Sequence, residues 1–144
     1  MSNEVVLIAE DDTDTRETIR QLLITAGYQV VAAEDSLLAY GLLSSVKPGL
    51  ILVDIMMPRI GGIGLIRWIK NNREFSSIPI IAMTAYGEQH LQEAKEAGAT
   101  MTVQKPGDIP DLPSIVARLF ASQNQPSVNG PRKQTGELRN PKSK

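Results

Sequence analysis

A chain of 144 residues, 42% hydrophobic and 22% charged, has the length of one domain and enough apolar residues to bury a core. Cysteine is absent, which excludes a disulfide framework or a thiolate zinc site. A formal net charge of −1 gives the chain no general attraction for nucleic acid or an anionic membrane. No apolar run approaches the roughly 18 residues a membrane helix needs. The start, MSNEVVLIAEDD, lacks the basic lead of a signal peptide, so a cytoplasmic protein is expected.

Val5–Ala9 is the first of five short apolar runs and reads as a strand, with Glu10, Asp11 and Asp12 directly after it. Ile19, Leu22, Leu23 and Ala26 then recur at helical spacing, and Gly27 is placed to stop that helix. Gln29–Ala33 reads as the second strand. Leu38, Leu42 and Val46 predict one face of a second helix, broken by Lys47-Pro48-Gly49. The third strand, Leu50–Val53, runs into the single carboxylate of Asp54, and Met56, Met57, Pro58 and Gly61-Gly62 turn the chain beyond it. Ile63, Ile66 and Ile69 mark a third helix.

Pro79–Ala82 is the fourth strand, followed by Thr84. The helix at Glu88–Ala97 has little to bury beyond Leu91, Ala94 and Ala97, so it is expected to be the least firmly anchored. Met101–Gln104 is the fifth strand, with Lys105-Pro106 after it. Leu112, Ile115, Val116, Leu119 and Phe120 form the clearest apolar stripe, that of the last helix. Strands apolar throughout, alternating with helices, predict an α/β protein: a doubly wound, five-stranded parallel sheet with five helices.

Composition shifts near Ser122. Residues 1–122 form the predicted domain, and residues 123–144 are rich in Pro, Gly, Asn, Gln and Lys, with only Val128 and Leu138 as large apolar residues. Such a segment is expected to stay disordered, spanning roughly 25 Å as a solvated tail or, alternatively, serving as a basic docking arm. It carries five basic residues and one acid, leaving ten basic against fifteen acidic residues before it.

In a doubly wound sheet, ligands sit outside the carboxyl ends of the strands. Here four of five strands deliver a polar group to that rim: Glu10, Asp11 and Asp12, then Asp54, Thr84 and Lys105. Taken singly, each has a plainer reading. Asp11 and Asp12 suit helix caps, Asp54 suits a turn, Thr84 is common at strand ends, and Lys105 suits a surface. Together they suggest chemistry. Carboxylates converging within a few ångströms repel by roughly 4 kcal/mol per pair at an effective dielectric of 20. Hard oxygen donors favour Mg²⁺ as the neutralising cation, and Lys105 adds a fixed positive charge. A carboxylate so placed suits nucleophilic attack on phosphorus, with the Thr84 hydroxyl as a donor to a phosphoryl oxygen.

Four motifs in order, the acid pair in IAEDD, VDIMMP followed by a glycine pair, MTA and KP, resemble the receiver domains of two-component response regulators over residues 4 to about 122. The resemblance implies the strand order 2-1-3-4-5 and Asp54 as phosphoacceptor. It also implies Mg²⁺ held by Asp11, Asp12 and Asp54 with the Met56 carbonyl, Asp12 more directly than Asp11. Thr84 and Lys105 would contact the phosphoryl group, and the Lys105–Pro106 peptide would be cis. A phosphohistidine-bearing sensor kinase or phosphotransfer protein would be the donor. With no room for an output domain in the tail, a downstream protein partner or onward relay would receive the signal. The sequence leaves homodimerisation through the last two helices open.

Two positions depart from that pattern. Thr102 stands where receivers carry Tyr or Phe, and Gly61 stands where Asp or Asn is common. Thr102 and the basic tail therefore motivate a second reading, a binding module that uses the same surface without phosphorylation. A haloacid-dehalogenase-type phosphatase also uses an aspartyl nucleophile, but Met56 occupies the position where that mechanism needs an acid. Met56 and Tyr86 are expected to flank the water path and to slow loss of the phosphoryl group. His90, the only histidine, reads as solvated and Trp68 as packing, with a docking anchor as its alternative.

Overall fold

The computed structural model describes residues 4–85 and 88–124. Its elements alternate as β1 (Val5–Ala9), α1 (Thr13–Thr25), β2 (Gln29–Ala33), α2 (Ser36–Val46), β3 (Leu50–Asp54) and α3 (Gly61–Asn71). There follow β4 (Ile80–Thr84), α4 (Glu88–Ala97), β5 (Met101–Gln104), a 3₁₀ turn at Ile109–Asp111, and α5 (Leu112–Asn124). All strands are parallel, in the order β2-β1-β3-β4-β5. The expected doubly wound sheet of that order is what the chain forms.

Strand alternation divides the core in two. Leu7, Ala9, Ile51, Val53, Ile80 and Ala82 face Ala39 and Leu43 of α2, Leu65, Ile66 and Ile69 of α3, and Ala94 of α4. Val6, Ile8, Leu50, Leu52, Ile81, Met83 and Val103 face Ile19 and Leu23 of α1, and Leu112, Ile115, Val116 and Phe120 of α5. Both faces are covered, as a parallel sheet requires.

Two expectations need correction. β3 and β4 extend through Asp54 and Thr84, because the ladder continues past the apolar residues: Asp54 is level with Met83, and Thr84 with Gln104. Pro79 precedes β4, having no N–H to donate, and its carbonyl accepts from Ile51 N at 3.1 Å. The inward face of α2 is Ser36, Ala39 and Leu43; Leu42 and Val46 are half-buried, and Leu38 is exposed. α4 keeps the expected thin anchorage, with Ala94 fully buried and Leu91 and Ala97 half-buried. The predicted tail falls almost wholly outside the described residues, and Tyr86 lies outside them.

Candidate phosphoacceptor site

The rim site is assembled by strand parity. Glu10 continues the alternation of Val6 and Ile8, Asp54 that of Leu50 and Leu52, and Lys105 that of Met101 and Val103. These three therefore emerge on the α1–α5 side of the sheet. Glu10 and Asp54 are buried, Asp54 at 2% exposure. The Lys105 ammonium lies 2.9 Å from Glu10 Oε1 and 3.3 Å from Asp54 Oδ2.

Backbone groups hold the carboxylates in place. Met56 N–H donates to Asp54 Oδ1 at 3.1 Å, and Asp12 N–H donates to Glu10 Oε2 at 3.1 Å. The Arg16 guanidinium donates to the Glu10 carbonyl at 2.8 Å, closing the loop from below. Behind Asp54 the chain doubles back. Gly61 has φ of 74°, and Gly62 N–H donates to the Ile55 carbonyl at 3.0 Å. A Cβ on Gly62 would strike the Asp54 carbonyl oxygen and lie 2.6 Å from Ile55 Cα, so only glycine admits this approach. Ser36 Oγ donates to the Gly61 carbonyl at 2.9 Å, tying α2 to the same turn.

Burial raises the Glu10 carboxyl to about 7, against the opposing pull of Lys105 and with a further push from the Asp54 charge. Burial would lower the Lys105 ammonium, but the Glu10 and Asp54 carboxylates outweigh it and leave it raised. The site is thus short of positive charge: one ammonium serves two buried acids.

Among the described residues, Glu10, Asp11 and Asp54 offer carboxylate oxygens within 4.8 Å of one another. Three hard oxygen donors around an excess of negative charge fit a small divalent cation. Asp12 stands apart from this group. It is the N-cap of α1, its Oδ2 accepting from Thr15 N at 2.9 Å and Thr15 Oγ1 at 2.6 Å, and those bonds hold its carboxyl below the usual range. Of the expected pair Asp11 and Asp12, the structure gathers Asp11 beside Asp54, together with Glu10. Parity with Ile8 was the signal in the sequence that pointed to Glu10.

Thr84, fully buried, closes β4 one residue beyond the partner of Asp54, and its carbonyl accepts from Lys105 N at 2.8 Å. The Lys105–Pro106 peptide is cis. Met56 is exposed beside the acceptor. Thr102 is half-buried and lines a pocket of about 430 Å³ with Gln89, Leu91, Gln92 and Lys95. His90 is half-exposed on α4, 3.4 Å from Glu93, and Trp68 packs edge-on against Tyr40 at 5.1 Å.

Comparison with known proteins bears on the family and the fold. The family model for the response regulator receiver domain matches residues 6–117. The chain is 34% identical over 119 residues to sporulation initiation phosphotransferase F of Bacillus subtilis, covering 82% of this chain and 94% of that protein. It is 31% identical over 106 residues to the polar-differentiation response regulator DivK of Brucella anthropi, covering 73% and 86%. The signal receiver domain of a histidine kinase from Syntrophus aciditrophicus superposes with a TM-score of 0.78 at 28% identity, covering 94% of this chain and 99% of that one. No helix among the described residues is long and apolar enough to cross a membrane. The chain belongs to the response regulator receiver domains, signalling switches of two-component systems that accept a phosphoryl group on an aspartate.

Proposed function

We propose that the chain accepts a phosphoryl group on Asp54 from the phosphohistidine of a sensor kinase or phosphotransfer protein, and signals through a protein-binding surface or passes the group onward. One observation carries this reading: a buried carboxylate at a strand end is held within 3.3 Å of an ammonium and within 4.8 Å of two further acids. An Asp54 oxygen attacks phosphorus, the P–N bond to the donor imidazole breaks with its electrons passing to nitrogen, and an acyl phosphate forms. Lys105 is placed to take a phosphoryl oxygen as the negative charge moves onto the protein, and Thr84 supplies a hydroxyl donor. Glu10, Asp11, Asp54 and the Met56 carbonyl would hold Mg²⁺, which supplies charge neutralisation for the acids and the transferring group. Met56, exposed at the site, restricts the approach of hydrolytic water.

By strand alternation Thr84 falls with Ile80 and Ala82, on the face covered by α2, α3 and α4. A hydroxyl drawn toward a phosphoryl group thus acts on the α4 side, where anchorage is thinnest. The half-buried Thr102 favours α4 over an aromatic rotor as the moving part. It also supports the second reading, a binding module that works without phosphorylation. Amide NMR during titration with Mg²⁺ and beryllofluoride separates the two. Shifts reaching from the strand-end loops through α4 and β5 are expected; shifts confined to the loops contradict a working switch, and no shifts contradict the site.

A further inference from the structure

β5 is the last strand of the described sheet and pairs with β4 alone. Backbone N–H and C=O groups alternate sides along a strand, so those of every second residue face the outer edge. Lys105 N–H points inward and donates to the Thr84 carbonyl at 2.8 Å, which leaves both backbone groups of Gln104 on the outer side. Asp108 meets both. Its Oδ2 accepts from Gln104 N–H at 2.8 Å, and its own N–H donates to the Gln104 carbonyl at 2.9 Å. A residue four positions on thus does for Gln104 what a sixth strand would do.

The same carboxylate has a plainer use that it does not take. Asp108 occupies the N-cap position of the 3₁₀ turn at Ile109–Asp111, where an aspartate commonly accepts from the first free N–H groups, yet its side chain makes no capping bond there. The acids gathered at the rim are Glu10, Asp11 and Asp54, and Asp108 is not one of them. It reaches back across Lys105, Pro106 and Gly107 to the end of β5. Ile109, buried against the α5 side of the core, seats the closed loop, and its N–H donates to the Pro106 carbonyl at 3.1 Å.

We infer that Asp108 is a positioning residue for phosphoryl transfer: by holding Gln104 it fixes the backbone that carries Lys105, and so aims the ammonium at Glu10 and Asp54. The inference rests on the reading of Asp54 as acceptor and Lys105 as the partner of a phosphoryl oxygen. A lysine reaches its target through a flexible stem, so its aim is no better than the placement of its Cα. The ammonium lies 2.9 Å from Glu10 Oε1 and 3.3 Å from Asp54 Oδ2, and a shift of about 1 Å in such a group costs a large factor in rate. The Thr84 carbonyl holds this stretch from the sheet side and Asp108 holds it from the outer side. Removing the Asp108 side chain releases Gln104 N–H and with it half of that grip.

Two variants of the full chain test this. Asp108→Ala removes the acceptor, and Asp108→Asn keeps an oxygen in its place. Each is compared with wild type for its rate of phosphorylation by acetyl phosphate and Mg²⁺, followed by intact mass, and for its affinity for Mg²⁺ and for beryllofluoride. Asp108→Ala should be phosphorylated roughly tenfold more slowly and bind beryllofluoride several-fold more weakly. Its Mg²⁺ affinity should not change, because the rim acids are untouched. Asp108→Asn should restore both losses. Hydrogen exchange at the Gln104 amide, slow in wild type, should quicken in Asp108→Ala and slow again in Asp108→Asn, a readout that needs no phosphodonor. A merely structural aspartate gives a lower urea midpoint with the rate per folded molecule unchanged, and that result overturns the inference. A slow rate in Asp108→Asn while its Gln104 amide stays protected overturns it too. Wild-type protein that takes up no phosphoryl group removes the underlying reading and the inference with it, whereas equal rates in wild type and Asp108→Ala overturn the positioning role alone.

Discussion

α3 and α4 lie side by side on one face of the sheet and are held in opposite ways. α3 buries Gly62, Leu65, Ile66 and Ile69, and its first turn is locked to the Asp54 carbonyl by an approach that admits no side chain. Among its described side chains α4 fully buries only Ala94. Its C-terminal end is fixed where Gly98, at φ of 125°, sits over the stem of Lys70, whose ammonium donates to the Ser76 and Ile78 carbonyls. A receiver has to keep its acceptor still while another part of the surface moves. On the proposed switch those two demands fall on neighbouring helices, with α3 beside the acceptor and the thinly packed α4 as the part free to move.

The sharpest way to break this contrast is at the tight turn. Gly62→Ala must displace the Asp54–Ile55 backbone and should cost about 3 kcal/mol in urea unfolding, with loss of phosphoacceptance. A second pair of substitutions calibrates the two helices directly. Leu65→Ala, fully buried on α3, should cost about 3 kcal/mol, and Leu91→Ala, half-buried on α4, about 1 kcal/mol. Equal losses in denaturant titration would remove the distinction. Smallest in stability is the cap. Asp12→Ala should cost about 1 kcal/mol yet leave Mg²⁺ affinity close to wild type. Asp11→Asn should weaken Mg²⁺ by about tenfold or more with little effect on metal-free stability. Calorimetric titration of both variants reverses or upholds the assignment of Glu10 and Asp11 as the acid pair.

What the sequence made legible follows from how local each signal is. Five apolar runs and the polar group after each are local facts, so the sheet, the rim and Asp54, Thr84 and Lys105 could all be read in order. The face of α2 could not. With Leu37, Leu38, Leu42, Leu43 and Val46 spread round the helix, periodicity offers several apolar faces, and only the position of the sheet selects Ala39 and Leu43. The ends of β3 and β4 depend on register with neighbouring strands, which residue type does not encode. Asp12 and Glu10 show a third case. Both are acids beside one strand end, and the difference lies in whether the side chain follows strand parity into the rim or turns back to cap α1.

Intact-mass analysis after incubation with Mg²⁺ and acetyl phosphate tests the central claim most directly. Wild-type protein should gain the mass of one phosphoryl group, only when Mg²⁺ is present, and Asp54→Ala should gain none. No added mass on the wild type, or equal addition to both proteins, would contradict Asp54 as the acceptor.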